Sequence, residues 1–205
     1  MTTRHGAATA VTICGAPLSV GLAALYLLRR RPGLAIHMQI DPSRAWLREG
    51  EVVLLGKIST SWRNTLAPLI TREWPGFLVL DNATRSEHPA APVGLLDPVQ
   101  CQAELAEFEP WLLNDPAIGA ATVRVPPLGE PLRPSRVLEA SFSEKLDLPV
   151  LFEAPAAGEE FAQYLPLGGG STMVRGLSCA PARDPIEAIF GAQYALMEVL
   201  AAFER

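Results

Sequence analysis

The chain has 205 residues, 49% apolar and 19% charged, which suits one packed domain and excludes wholesale disorder. A net charge of −5 argues against a nucleic-acid binder. Its three cysteines, Cys14, Cys101 and Cys179, are far apart and form no C-x-x-C, so no zinc site is expected. Sparse cysteines fit a reducing, cytoplasmic compartment.

The first elements alternate between strand and helix. An uncharged run from Gly6 to Leu28, followed by Arg29-Arg30-Arg31, is long enough for a membrane anchor. Its internal pattern is broken, however, and argues against a span. Residues 10–14 (AVTIC) are β-prone, Gly15-Ala16-Pro17 is turn chemistry, and 18–30 is a good helix former. Residues 34–40 (LAIHMQI) read as the next strand, ended by Asp41-Pro42. A short helix is expected in 43–50, a strand in 51–56, and a partly helical stretch in 61–74 in which Pro68 is awkward. Residues 76–82 (GFLVLDN) form another apolar strand. Apolar strands separated by helices predict an α/β fold, Rossmann-like, with a mostly parallel sheet and helices on both faces.

Beyond residue 85 the pattern loosens. Residues 98–114 look helical with a break at Pro110, and 120–126 look like a strand. Residues 126–160 are proline-rich and without clear period, and read as an irregular insertion or a loop reaching a partner within a single domain spanning 1–205. Residues 164–185 form a glycine-rich stretch. Gly168-Gly169-Gly170 could cradle an anion, but lacks a P-loop lysine and reads better as a hinge. Residues 184–205 form a helix with Asp184 as N-cap, Pro185 in the first turn and Glu187 three residues after the cap. Ile186, Ile189, Phe190, Tyr194, Met197 and Leu200 make its expected buried stripe.

A strand, a glycine turn and a helix can bring backbone N–H groups to a phosphate. Here only Gly15 of G-x-G-x-x-G is in place, and Pro17 removes a donor. A purely structural turn is the alternative. Asp41, at the end of the second strand, either binds ribose hydroxyls or serves as a turn residue before Pro42. Asp81 follows an apolar strand, where it could hold Mg²⁺ or cap a turn. Cys179 precedes a helix and follows Arg175, which would favour its thiolate; its alternative is a small apolar residue. Cys14 reads as core, and Cys101 stays open. His37 reads as packed, and His88 as a loop residue with an exposed role open to it. There is no H-E-x-x-H motif and no Ser-His-Asp set.

Three stretches together resemble the ThiF/MoeB/HesA family, the Rossmann-like fold shared with ubiquitin-activating enzymes. They are VTICGAPLSVGLAALYLL (11–28) with IHMQIDP (36–42), FLVLDNATR (77–85), and LSCAPARDPIEAIFGAQYALMEVL (177–200). The resemblance implies ATP and Mg²⁺ as cofactors, with Gly15, Asp41, Arg48, Lys57 and Asp81 at the nucleotide, Asp81 on the metal and Cys179 as acyl acceptor. It implies a small carrier protein or an active homologous subunit as partner, in a homo- or heterodimer. The nucleotide turn departs from the family at Pro17 and Val20. The favoured expectation is therefore a degenerate, non-catalytic scaffold in a ubiquitin-like or sulfur-carrier system. The alternatives are an active adenylating enzyme, or a Rossmann-type domain binding another nucleotide cofactor.

Overall fold

The computed structural model describes residues 9–43, 50–81, 84–128, 136–138, 147–154, 161–176 and 184–203. The chain opens with β1 (Ala10–Gly15), α1 (Pro17–Arg30) and β2 (Ala35–Ile40). Next come β3 (Glu51–Leu54), α2 (Thr60–Leu66), β4 (Ile70–Trp74), β5 (Phe77–Asp81), β6 (Thr84–His88), β7 (Val93–Leu96) and α3 (Pro98–Ala106). The second half holds β8 (Leu112–Leu113), β9 (Ala121–Arg124), β10 (Arg136–Leu138), β11 (Val150–Glu153), β12 (Ala162–Gly168), β13 (Ser171–Gly176) and α4 (Pro185–Phe203).

The class is α/β with a parallel sheet, as the alternation of apolar strands and helices predicts. That four-stranded sheet has the order β8-β2-β1-β9, and every described pairing in it is parallel. Two further sheets escape the local pattern. One is six-stranded, in the order β10-β13-β12-β11-β5-β6, antiparallel except where β11 meets β5. The other is three-stranded and antiparallel, β3-β7-β4. Strands β10 and β11 lie inside the 126–160 stretch, and β11 is an interior strand of its sheet.

Helix α1 explains the uncharged N-terminal run. Every residue from Pro17 to Leu28 is buried, so the helix is apolar all round because it is enclosed by protein. It packs on β1 and β2 and touches α2, α3 and α4. Its 14 residues reach about 21 Å at 1.5 Å per residue, well short of the ~30 Å hydrocarbon core of a bilayer. No helix among the described residues is long and apolar enough to cross a membrane. Leu22, Leu25 and Leu27 are almost wholly hidden, and each such side chain contributes about 1.5–3 kcal/mol. At the C-terminal end Arg29 pairs with Glu104 of α3, and its Nη1 donates to Thr65 O of α2 at 3.0 Å. One guanidinium thus ties three helices together where a cation also suits the helix dipole.

A second core lies between the six-stranded and three-stranded sheets and α4. Val52 and Leu54 of β3, Phe77 of β5, Leu151 of β11 and Phe190 of α4 belong to it. Phe77 meets Phe190 edge to face at 5.6 Å and stacks on His88 at 4.7 Å, so His88 packs on a core ring from a strand rather than standing in a loop. Trp74 Nε1 donates to Pro166 O at 3.3 Å and links the two sheets.

Several expectations are corrected by long-range pairing. Residues 70–74 are strand β4: Pro68 ends the helical stretch in a 3₁₀ turn, and β7 supplies the partner. The triple glycine lies at the tip of a hairpin. Gly168 pairs with Ser171, and Gly169 and Gly170 turn the β12–β13 hairpin with φ of 63° and 85°. Two successive positive φ values match the twist of a tight hairpin. On α4, Tyr194 is exposed, whereas Gln193 is buried at 5% and Leu196 at 1%. Gln193 takes an inward position because its side chain is bonded: Oε1 accepts from Leu54 N and Nε2 donates to Leu54 O, both at 2.8 Å. β3 is an edge strand of its sheet, and this amide occupies its open edge.

Two charges enter the core. Glu51 is 7% exposed and Arg175 is completely buried. Burial pushes the Glu51 carboxyl up, while the Arg175 guanidinium and the bond from Val52 N pull it down less strongly. An acid whose folded pKa is raised favours the fold while neutral. That contribution is complete below the unfolded value of 4.5 and is lost as pH rises through the folded value. Stability should therefore fall as pH rises above 4.5 through the Glu51 titration, and Glu51→Gln should flatten this slope. Urea denaturation of both proteins across that range measures the difference.

Candidate functional site

The site forms where the parallel sheet reverses its order. β1 runs through α1 to β2 on one side, and β9 later joins β1 on the other. Such a switch point leaves a crevice outside the carboxyl ends of the strands. Backbone bonds continue past the strand ends and frame it. Asp41 N donates to Gly15 O at 2.9 Å, and Val125 N donates to Cys14 O at 2.9 Å. The result is a cleft of about 390 Å³, lined by Cys14, Gly15, Ala16, Gln39, Ile40, Asp41, Pro42, Arg124, Val125 and Pro127.

Gly15 is required at the turn. Its φ is +154°, and a Cβ there would lie 2.8 Å from Val125 O and 3.0 Å from Val125 Cγ2. The glycine therefore lets β1 and the end of β9 close together before the chain enters α1. Gly15→Ala should cost about 2–4 kcal/mol, from backbone strain plus overpacking. Thermal denaturation checks this; an unchanged midpoint would contradict the close approach.

Side chains of one row face the cleft. Cys14 stands opposite Gln39 on β2 and Arg124 on β9, and in-register partners on parallel strands share a face. Cys14 Sγ donates to Gln39 Oε1 at 3.2 Å, so Cys14 borders the cleft rather than lying in the core as its strand position suggests. The opposite face carries Val11, Ile13, Ile36 and Val123, all buried in the core that surrounds α1. Asp41 uses Oδ1 to accept from Ser43 N at 2.9 Å and Ser43 Oγ at 2.7 Å. Asp41 is thus the turn residue of one sequence reading, and it also lines the cleft.

Gly15 and Asp41 are the expected binding residues that the fold brings together. Lys57 does not line the cleft; it is exposed, with φ 57°, in the turn after β3. Asp81 is exposed at the end of β5, in the six-stranded sheet, and pairs with Thr84 across a hairpin. Among the described residues no group of acidic, histidine or cysteine side chains could hold a metal ion, so Asp81 has no companion ligands for Mg²⁺. Arg48 and Cys179 lie outside the described residues. Cys101 is fully buried in α3, and desolvation pushes its thiol up to about 12, which makes it an inert core residue. Gln39 and Arg124 were missed from sequence. Their signal was a polar residue at the carboxyl end of each apolar strand, which acquires meaning only once the strands are known to be neighbours.

The start of α1 does not fit a pyrophosphate. Pro17 has no N–H to offer. Leu18 is 3% exposed and Ser19 is fully buried, with Ser19 Oγ accepting from Leu128 N at 2.7 Å. The chain after β9 thus lies over the helix N-terminus that a dinucleotide would use.

No family model matches the sequence, and no curated protein is found similar to it. Solved structures similar to the chain include a Y270F mutant of MHPCO, at 12% identity and TM-score 0.48, over 94% of this chain and 68% of that one. Another is the peptidyl tryptophan dihydroxylase QhpG, essential for tryptophylquinone cofactor biogenesis, at 14% identity and TM-score 0.44, over 94% and 52%. A third is pqsL, a probable FAD-dependent monooxygenase from Pseudomonas aeruginosa, at 11% identity and TM-score 0.46, over 81% and 60%. This chain spans between about half and two thirds of their lengths. These comparisons correct the resemblance to the ThiF/MoeB/HesA family, and with it the expectation of a ubiquitin-like or sulfur-carrier system and of ATP with Mg²⁺. The fold gives the physical reason. The stretches 11–42 and 77–85 fall on two different sheets, so Asp81 does not extend the parallel sheet that holds Gly15 and Asp41.

Proposed function

We propose that the chain is a Rossmann-type domain that binds a nucleotide in the cleft at the carboxyl ends of β1, β2 and β9. The observation that supports this is the placement of Gly15 and Asp41 on one cleft at the sheet's switch point. In this reading Gly15 keeps the turn tight, and Asp41 faces the ribose hydroxyls with its carboxylate pre-oriented by Ser43. Cys14 and Gln39 form the floor. A volume of about 390 Å³ is at the lower end of the roughly 300–1,000 Å³ usual for ligand pockets, which suits a mononucleotide unit. A cytoplasmic location is proposed with it, on the sparse cysteines and the absence of any C-x-x-C pair. Titration calorimetry with AMP, ADP-ribose and FAD tests the reading. Micromolar to low millimolar binding by AMP that Asp41→Ala weakens is the expected result. No heat from any of the three at millimolar concentration would reject it.

A further inference from the structure

The cleft contains a cation with no partner among the described residues. Arg124 is exposed at the end of β9, and no described residue makes a hydrogen bond or ion pair with its guanidinium. It is the only cation among the described residues that line the cleft. Gln39, two strands away, is also exposed. Its carbonyl oxygen is engaged by Cys14 Sγ, which fixes the amide orientation and turns the N–H donors outward from that bond. Neighbouring strands are about 4.8 Å apart, so Gln39 and Arg124 flank Cys14 at a span that one phosphate group and two extended side chains can bridge.

Helix α1, by contrast, has little to give an anion. Pro17 lacks a donor, Leu18 and Ser19 are buried, and Ser19 Oγ is bonded to Leu128 N. Charge and donors have been removed from the usual place and are present on the ledge formed by the strand ends.

We infer that the ligand's phosphate is held by Arg124 and Gln39 above Cys14, on the sheet face away from α1, and that the ligand class is a ribose phosphate carrying one phosphate group. This rests on the reading of the cleft as a nucleotide site and adds where the phosphate lies. A guanidinium is suited to it because its planar fork can donate two bonds to phosphate oxygens.

The test is calorimetry with adenosine, AMP, ribose 5-phosphate and FAD on the wild type, Arg124→Gln and Arg124→Lys. The expected result is that AMP binds the wild type about ten- to a hundredfold more tightly than adenosine. Arg124→Gln should remove that advantage while leaving adenosine binding and the unfolding midpoint unchanged, and Arg124→Lys should restore part of it. Ribose 5-phosphate binding that also depends on Arg124 would support a phosphate site serving sugar phosphates at large. FAD should bind no more tightly than AMP. An AMP advantage that survives Arg124→Gln, or FAD binding tighter than AMP and indifferent to Arg124, overturns the placement and leaves the nucleotide cleft standing. Adenosine and AMP both failing to bind would overturn the cleft reading itself.

Discussion

Arg175→Met is expected to destabilise the protein by about 3–5 kcal/mol, the scale of loss when a completely buried charge is removed and the groups around it are left uncompensated. The residue is fully buried on β13, beside a core of aromatic and aliphatic side chains, and its positive charge restrains the rise of the Glu51 pKa. Without it, Glu51 remains enclosed at 7% exposure with desolvation unopposed by that cation. Gln163, directly across the strand pair from Arg175, is 3% exposed, and its Oε1 accepts no hydrogen bond from the described residues. The double variant Glu51→Leu/Arg175→Met should be more stable than Arg175→Met alone, because it also removes the buried carboxyl whose desolvation the Arg175 charge offsets. Guanidinium denaturation of the three proteins gives the comparison. Equal losses in the single and double variants would mean that the two residues are not energetically joined.

The next largest effect is expected at Gln193. Gln193→Leu keeps the volume but removes both bonds to the β3 backbone, leaving Leu54 N and O buried without these partners. Each stranded backbone group costs about 1–3 kcal/mol, so a loss of about 2–4 kcal/mol is anticipated after the gain from an apolar side chain. Hydrogen exchange should locate the damage: the Leu54 amide should exchange much faster in the variant, whereas the Leu25 amide inside α1 should change only with global stability. A loss under about 0.5 kcal/mol would place Gln193 among ordinary surface substitutions and contradict its role at the sheet edge.

These two residues also mark what the sequence could not disclose. Gln193 sits within an otherwise apolar stripe, and its inward position makes sense only once β3 is known to be an edge strand. The reading of 10–40 was accurate because strand, glycine turn, helix and strand are all encoded by near neighbours. The glycine turn in particular is marked by Gly15 and Pro17, which act on their own φ angles. Strand β6, TRSEH, has no apolar alternation to reveal it, and is defined by its hairpin with β5. Strands β12 and β13 were hidden by the three glycines at their junction, which mark a hairpin as readily as a loop. Sheet membership was the costliest omission. Asp81 has the local signature of a strand-end ligand, yet it belongs to another sheet from Gly15 and Asp41. No local pattern records which strand lies beside which. For the same reason Arg124 and Gln39 were overlooked, although they share a row with Cys14.

The cleft outside β1, β2 and β9 is the proposed nucleotide site. Its most direct test is a backbone amide chemical-shift map of the isotope-labelled protein titrated with AMP. The account predicts saturable shifts concentrated at Cys14, Gly15 and Ala16, at Gln39 to Asp41, and at Arg124 and Val125, with strands β5 and β6 unaffected. Shifts centred on Asp81 or Lys57, or no saturable shift at millimolar AMP, would contradict it.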